Sequence, residues 1–125
     1  MTLGEIIREL ERARPDLDVY FDFAQCVPDG IASWRGIYAE PALGWAATGY
    51  SGNGRQKRPT VADVLAQLRE PLEPQSHYEG WKGGSYSYSE GSPVHVDNPG
   101  DCTYTVIDRI DILEDRVVLR TRFEN

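Results

Sequence analysis

Two stretches of the chain carry apolar residues at helical spacing, and each begins at a threonine and is followed by a proline. In both stretches an acidic residue stands three positions after the threonine, which is the spacing of a helix-capping box. The sequence therefore predicts one helix over residues 2–13, with Glu5 as the acidic capping residue, and a second over residues 60–70, with Asp63 in that role.

The other apolar residues alternate with polar ones, which is typical of strands. A turn at Pro28-Asp29-Gly30 is expected to pair the first two strands as a hairpin, and the last two strands are expected to form another. The predicted strands cover Leu17–Phe23, Ile31–Glu40, Leu43–Thr48, Gly83–Ser89, Pro93–Asp97, Thr103–Ile112 and Arg116–Phe123. These elements predict a single α+β domain over residues 1–125, with an antiparallel β-sheet and two helices packed on one face.

The formal net charge of −7 argues against binding to duplex DNA, because cations that neutralise phosphates supply most of that affinity. An acidic surface can instead dock on a basic protein partner. No apolar run is long enough to span a bilayer, and the N-terminus does not have the pattern of a signal peptide, so a cytoplasmic location is expected. That compartment favours free thiols at Cys26 and Cys102, although their redox state stays open.

Two short stretches echo each other: Ser33-Trp34-Arg35-Gly36-Ile37-Tyr38 and Gly80-Trp81-Lys82-Gly83-Gly84-Ser85-Tyr86. A flat aromatic ring beside a cation suits a planar anion, and glycine lets a ligand approach the backbone. On a strand, neighbouring side chains point to opposite faces, so the first stretch cannot present both its tryptophan and its arginine to one ligand. The glycines of the second stretch favour a loop. The predicted ligand-binding residues are therefore Trp81, Lys82, Gly83, Gly84 and Tyr86, with Trp34 and Arg35 in a lesser role.

A basic segment, Gly52-Asn53-Gly54-Arg55-Gln56-Lys57-Arg58, precedes the second predicted helix. Backbone N–H groups at a helix start favour anions, so Arg55, Lys57 and Arg58 are predicted to hold phosphate groups. The spacing is not that of a Walker A loop. The alternative is a solvated loop with no ligand.

Catalytic patterns are weak. His95 lies near Asp97 and Cys102 in the sequence, but no nucleophile motif accompanies them, so no catalytic residue is assigned. A cluster of carboxylates between Asp108 and Asp115 lacks the pattern of a calcium loop and is expected to be a solvated face. The sequence predicts no metal ion and no cofactor.

Several of these stretches together resemble small accessory proteins of tailed bacteriophages. The resemblance runs from Thr2-Leu3-Gly4-Glu5 through Val19-Tyr20-Phe21-Asp22-Phe23 and the first tryptophan stretch, and continues at Pro59-Thr60-Val61-Ala62-Asp63-Val64-Leu65, at the second tryptophan stretch and at Val94-x-Val96-x-Asn98-x-Gly100. The basic segment up to Arg58 departs from that pattern. The resemblance transfers no site residues, and it implies a role in countering host defences.

Two functions follow as hypotheses. The first is a non-enzymatic binding protein that sequesters a nucleotide-derived anionic signal, working as a homo-oligomer in the host cytoplasm. The alternative is a protein–protein inhibitor of a host defence complex, resembling an anti-CRISPR protein, whose acidic face mimics nucleic acid. Its carboxylates would be Glu9, Glu11, Asp16, Asp18, Asp108, Asp111, Glu114 and Asp115. A nucleotide-processing enzyme is a third and weaker option.

Overall fold

The computed structural model of the protein describes residues 1–23, 26–34, 39–47, 58–80, 83–97 and 105–123. Both predicted helices are present, as α1 (Leu3–Leu10) and α2 (Val61–Arg69), and a 3-10 turn at Glu70–Leu72 follows α2. Each has the predicted capping box. In α2 the Thr60 hydroxyl accepts the Asp63 N–H at 3.3 Å, while the Asp63 carboxylate accepts the Thr60 N–H at 2.9 Å.

The strands are β1 Asp18–Phe21, β2 Cys26–Ser33, β3 Pro41–Ala47, β4 Tyr78–Glu79, β5 Ser85–Tyr86, β6 His95–Val96, β7 Thr105–Ile112 and β8 Arg116–Phe123. They form a six-stranded sheet with the order β1-β8-β7-β6-β3-β2 and a small two-stranded sheet, β4-β5. The parallel pairs are β1 with β8 and β3 with β6, and the remaining pairs are antiparallel. The α+β class is thus confirmed, with a mixed sheet.

The predicted hairpin between the first two strands is wrong. Pro28-Asp29-Gly30 lies inside β2, which pairs with β3, and the register shifts between Pro28 and Ile31. Gly30 has a φ of 82°, so the glycine that suggested a turn accommodates a bulge in a continuing strand. β1 pairs instead with the distant strand β8, and this parallel pairing makes the sheet mixed.

The helices cover the inner face of the sheet. The buried residues of α1 and α2 form one core with inner-face residues of β1, β3, β6, β7 and β8, among them Val19, Leu43 and Leu119. The two edge strands, β1 and β2, also contact each other. Because both edges of the sheet meet, the sheet must curl around this core. No described helix has the length and apolar character needed to cross a membrane.

Candidate ligand-binding cleft

Four strands of the curled sheet, β1, β8, β6 and β3, run in the same direction and end at the same edge. Side chains on the inner face alternate along each strand, so the core positions Leu43 and Leu119 are followed on that face by Trp45 and Thr121. Beyond the core these residues surround a cleft of about 290 Å³. Its lining consists of Phe23, Trp45, Val96, Asp97, Thr105, Thr121, Arg122 and Phe123.

Two aromatic rings form a fixed corner of this cleft. Phe23 stacks on the core residue Phe21, with ring centroids 5.0 Å apart, and its ring lies edge-on to Trp45 at 6.0 Å and 89°. The Trp45 indole is 41% exposed, and its Nε1–H donates to the backbone carbonyl of Asp97 at 2.8 Å. Both rings are therefore held in place before any ligand arrives, which lowers the entropic cost of binding.

The other side of the cleft is built by the end of β8. Phe123 is 72% exposed, which is unusual for so large an apolar side chain. Arg122 precedes it in β8 and contributes to the lining, and the Arg122 guanidinium pairs with Asp108 at 3.4 Å. The Asp22 carboxylate accepts the Thr121 N–H at 2.9 Å and the Thr121 hydroxyl at 2.6 Å, so the end of β1 is attached to β8 next to Phe23.

This combination of aromatic rings, an arginine and an aspartate suits a planar polar molecule. A ring stacked on Trp45 would stand perpendicular to the Phe23 ring, because the two aromatic planes are at right angles. Stacking of a nucleobase on an aromatic side chain is worth about 1–3 kcal/mol. The volume of about 290 Å³ is just below the roughly 300–1,000 Å³ common for small-molecule pockets, which fits one base with its sugar rather than a dinucleotide.

A smaller cavity of about 190 Å³ lies next to the N-terminus. It is lined by Met1, Thr2, Glu5, Pro93, Val94, His95, Val106 and Arg122. Its lining lacks the Phe and Trp rings of the first cavity, so it offers less surface for stacking.

The first predicted tryptophan stretch lies elsewhere. Trp34 is 1% exposed, and its indole stacks on the His95 imidazole with centroids 3.7 Å apart and planes 9° apart. The same imidazole contacts the Glu40 carboxylate through Nε2 at 3.0 Å. Trp34 is therefore a core residue packed against the buried His95, whose partner Glu40 is half-buried. Arg35 lies outside the described residues.

The second stretch surrounds the turn of the β4-β5 hairpin. Gly83 and Gly84 have φ values of 95° and 88°, and the Gly80 N–H donates to the Gly84 carbonyl at 3.0 Å, as expected of a loop. Tyr86 is half-buried in β5. Trp81 and Lys82 lie outside the described residues, so their proposed contact with a ligand stays a prediction.

The β4-β5 hairpin lies at the opposite end of β2 and β3 from the cleft. Tyr78 of β4 packs on Tyr88, which hydrogen-bonds to the Ser33 hydroxyl. Ser33 pairs with Pro41 at the start of β3. At about 3.3 Å per residue, Pro41 and Trp45 are roughly 13 Å apart. The structure thus separates Trp34 and Tyr86 from the aromatic cleft.

The basic segment contributes one described residue, Arg58, which is exposed. Its neighbour Pro59 accepts a hydrogen bond from the N–H of Val19, near the start of β1, whereas Phe23 lies past the end of that strand. Val19 and Phe23 are four residues apart, which is about 13 Å along an extended strand. Arg58 is therefore separated from the cleft by about that distance. Arg55 and Lys57 lie outside the described residues.

The carboxylates of the alternative acidic-face hypothesis mostly lie beside arginines. Ion pairs at 4.0 Å or less join arginine side chains to Glu9, Glu11, Asp16, Asp108, Asp111 and Asp115. Alternating positive and negative groups do not present the continuous negative surface of a nucleic acid. This arrangement weakens the support for mimicry.

In the weak catalytic pattern around His95, the histidine has a partner that the sequence did not suggest. His95 contacts Glu40, as described above, and Cys102 lies outside the described residues. Cys26 is a buried cysteine, and burial raises the pKa of its thiol, which makes it a poor nucleophile. Among the described residues, no group of three or more histidine, cysteine, aspartate or glutamate side chains is arranged to hold a metal ion.

Sequence reasoning missed the cleft because its residues are far apart in the chain. One available signal was alternation: Phe23 follows Phe21 by two positions, Trp45 follows Leu43 by two positions, and Phe123 follows Leu119 by four positions. A large apolar residue that continues an inner face beyond the core indicates a cavity wall. Which of these strand ends meet is decided by strand pairing, which the sequence did not reveal.

Comparison of the chain with protein-family models, with curated proteins and with solved structures found no match. The cleft is therefore interpreted from its own geometry and chemistry.

Proposed function

We propose that the chain is a non-enzymatic binding protein that takes up a planar, nucleotide-like anion. The observation that supports this proposal best is the cleft itself, where Phe23, Trp45 and Phe123 surround about 290 Å³ and Arg122 contributes to the lining. The aromatic rings would hold the base, and the arginine would hold a phosphate through a charge-assisted hydrogen bond.

Arg122 can serve a phosphate despite its ion pair with Asp108. That pair has an N···O distance of 3.4 Å, and the arginine side chain is more than half exposed, so the pair contributes little to stability. The net charge of −7 repels anions at long range, so we expect affinity to come from the contacts inside the cleft and not from electrostatic steering.

The biological role is proposed from the sequence stretches that resemble phage accessory proteins. In this role the protein would act in the cytoplasm of the host cell, as a homo-oligomer, and would sequester a nucleotide-derived signal of the host's defences. Sequestration requires tight binding without turnover, which agrees with a cleft rich in aromatic surface.

Titration calorimetry against mononucleotides, cyclic di- and trinucleotides and ADP-ribose derivatives tests the binding. Stacking should also quench the fluorescence of Trp45. We expect Trp45→Ala to weaken binding by about tenfold or more, since a stacked base contributes about 1–3 kcal/mol. The absence of heat at micromolar concentrations across the panel would refute the proposal.

Arg122→Gln and Arg12→Gln form a matched pair. Both arginines are exposed and pair with a carboxylate, at 3.4 Å and 3.5 Å respectively, but Arg12 belongs to the turn after α1 and does not line the cleft. We expect the first substitution to weaken binding of a nucleotide and the second to leave it unchanged. Equal effects would show that general surface charge, and not the cleft, holds the anion.

A pull-down from host lysate separates this proposal from the protein–protein inhibitor. A stoichiometric protein partner whose capture survives Trp45→Ala would favour the inhibitor. A nucleotide released unchanged when the purified protein is heated would favour sequestration and would also count against an enzyme that processes it.

A further inference from the structure

One edge of strand β7 is open over half of its length. The edge that faces β8 is paired from end to end, but on the opposite edge Val106 alone pairs with β6, through His95. The next group on that side, the Ile107 carbonyl, accepts the N-terminal ammonium group of Met1 at 3.0 Å. Within the described part of the chain, no strand pairs with this edge of β7 over residues 108–112.

The hydrogen bonds of the β7-β8 hairpin show which backbone groups point to the open edge. At its turn the Leu113 N–H donates to the Arg116 carbonyl at 2.8 Å, so the next pair, Ile112 with Val117, is a non-hydrogen-bonded pair. The two kinds of pair alternate along the hairpin. The N–H and C=O groups of Ile112 and Ile110 therefore point away from β8 and can pair with another strand.

The side chains of the open edge alternate between the two faces of the sheet. Ile110 packs against the core on the inner face, whereas Arg109 and Asp111 lie on the outer face and pair with each other at 3.3 Å. Charged side chains on an edge strand commonly discourage pairing with a second strand. Here, however, the two charges have opposite signs and flank one apolar residue. The segment Arg109-Ile110-Asp111 is thus complementary to itself in the antiparallel direction.

This pattern selects one register for pairing between two copies of the edge. When Ile110 lies opposite the partner's Ile110, the outward backbone groups of the two residues exchange two hydrogen bonds. Each Arg109 then lies directly opposite the partner's Asp111, where opposite charges attract. A register centred on Asp111 would instead place two carboxylates opposite each other, which is destabilising.

We propose that the open edge of β7 is a docking surface for a second copy of this chain, with a twofold axis at Ile110. The pairing joins the six-stranded sheets of two copies into one continuous sheet, and both copies use the same surface, as in an isologous dimer. The ladder is short, so we expect a reversible dimer whose population rises with protein concentration. This inference gives an interface to the proposed homo-oligomer but does not rest on nucleotide binding, since Arg109, Ile110 and Asp111 do not line the cleft.

Sedimentation equilibrium of the full chain, at protein concentrations up to about 1 mM, measures the association. Arg109→Glu replaces two attractive pairs by two repulsive ones across the twofold axis, so we expect it to weaken dimerisation by about tenfold or more. Arg12→Glu is the matched control, because it makes the same change of charge at another exposed arginine that pairs with a carboxylate. This variant should dimerise like the wild type.

Amide hydrogen exchange tests the same interface without a substitution. The Ile110 N–H points to the open edge, so its exchange should slow as the protein concentration rises. The N–H groups of Arg109 and Asp111 bond to β8, so they should be protected at every concentration. A dimer in which Ile110 exchanges as fast as it does in the dilute protein would use another surface and would overturn the proposal.

The sedimentation results decide the proposal independently of the proposed function. A chain that stays monomeric up to about 1 mM would overturn the interface, and so would equal weakening by Arg109→Glu and Arg12→Glu, which would indicate a general effect of charge. The melting temperature of each variant shows whether it is folded. A concentration-dependent dimer that binds no nucleotide would refute the proposed function and leave the interface standing.

Discussion

Gly44 lies against the bulge of β2, one residue before Trp45, and it allows the two strands to approach closely. A Cβ atom added at this position would lie 2.8 Å from the carbonyl oxygen of Asp29 and 3.5 Å from that of Gly30. Ordinary contact begins at 3.4 Å, so Gly44→Ala would require β2 and β3 to move apart by about 0.6 Å. The atoms that must move are backbone atoms, which have less freedom than the end of a side chain.

Two opposing effects determine how much Gly44→Ala changes the free energy of unfolding. Overpacking of this kind costs about 1–3 kcal/mol. Replacing glycine in a strand also restricts the unfolded chain, which stabilises the fold by about 0.5–1 kcal/mol. We therefore expect Gly44→Ala to lower the free energy of unfolding by about 1–2 kcal/mol, and the melting temperature by roughly 3–8 °C for a chain of this size.

Urea unfolding followed by circular dichroism measures this loss, and Gly91→Ala is the control. The atom nearest to a Cβ at Gly91 is the Ser89 hydroxyl oxygen at 4.0 Å, so the same substitution meets no clash there. The argument from the bulge is refuted if Gly44→Ala is as stable as Gly91→Ala. Because Trp45 follows Gly44, a shift of β3 should also change the Trp45 fluorescence.

Three further predictions concern residues outside the cleft. Trp34→Ala should lower the free energy of unfolding, measured in urea, by about 3–5 kcal/mol, because Trp34 is a core residue. The folded fraction should keep its affinity for nucleotides, and reduced affinity with unchanged stability would contradict this. Thr60→Ala removes the hydroxyl that accepts the Asp63 N–H and should cost about 1 kcal/mol, measured in the same way. The Arg120 guanidinium donates a hydrogen bond to Asp111, which lowers the pKa of that carboxyl below 3.8. Asp111→Asn should therefore reduce stability near pH 7, and its urea midpoint should approach that of the wild type as the pH falls through that lowered pKa. A gap that persists at low pH would contradict the linkage.

The helices were predictable because their determinants are local. Thr2 with Glu5, and Thr60 with Asp63, exchange hydrogen bonds across three residues, and these pairs are visible in the sequence. Alternation likewise predicted most strands, since the inner-face residues face one core whichever strand lies beside them. These features determined the α+β class.

Pairing of the strands was not predictable by the same reasoning. A glycine with positive φ fits both a hairpin turn and a bulge, and the local residues at Gly30 do not distinguish them. The choice depends on β8, which pairs with β1 from almost one hundred residues away and leaves β2 to pair with β3. Such long-range contacts leave no mark in a short window of sequence.

For the cleft, too, the sequence determined one part and the tertiary structure another. The sequence by itself determined that aromatic and cationic residues exist, which short stretches contain them, and that most strands have an apolar face. Only the tertiary structure decided that Trp34 is buried against His95, and that Phe23, Trp45 and Phe123 meet around Asp97 and Arg122. The physical reason is that the curl of the sheet brings together the ends of strands that are distant along the chain.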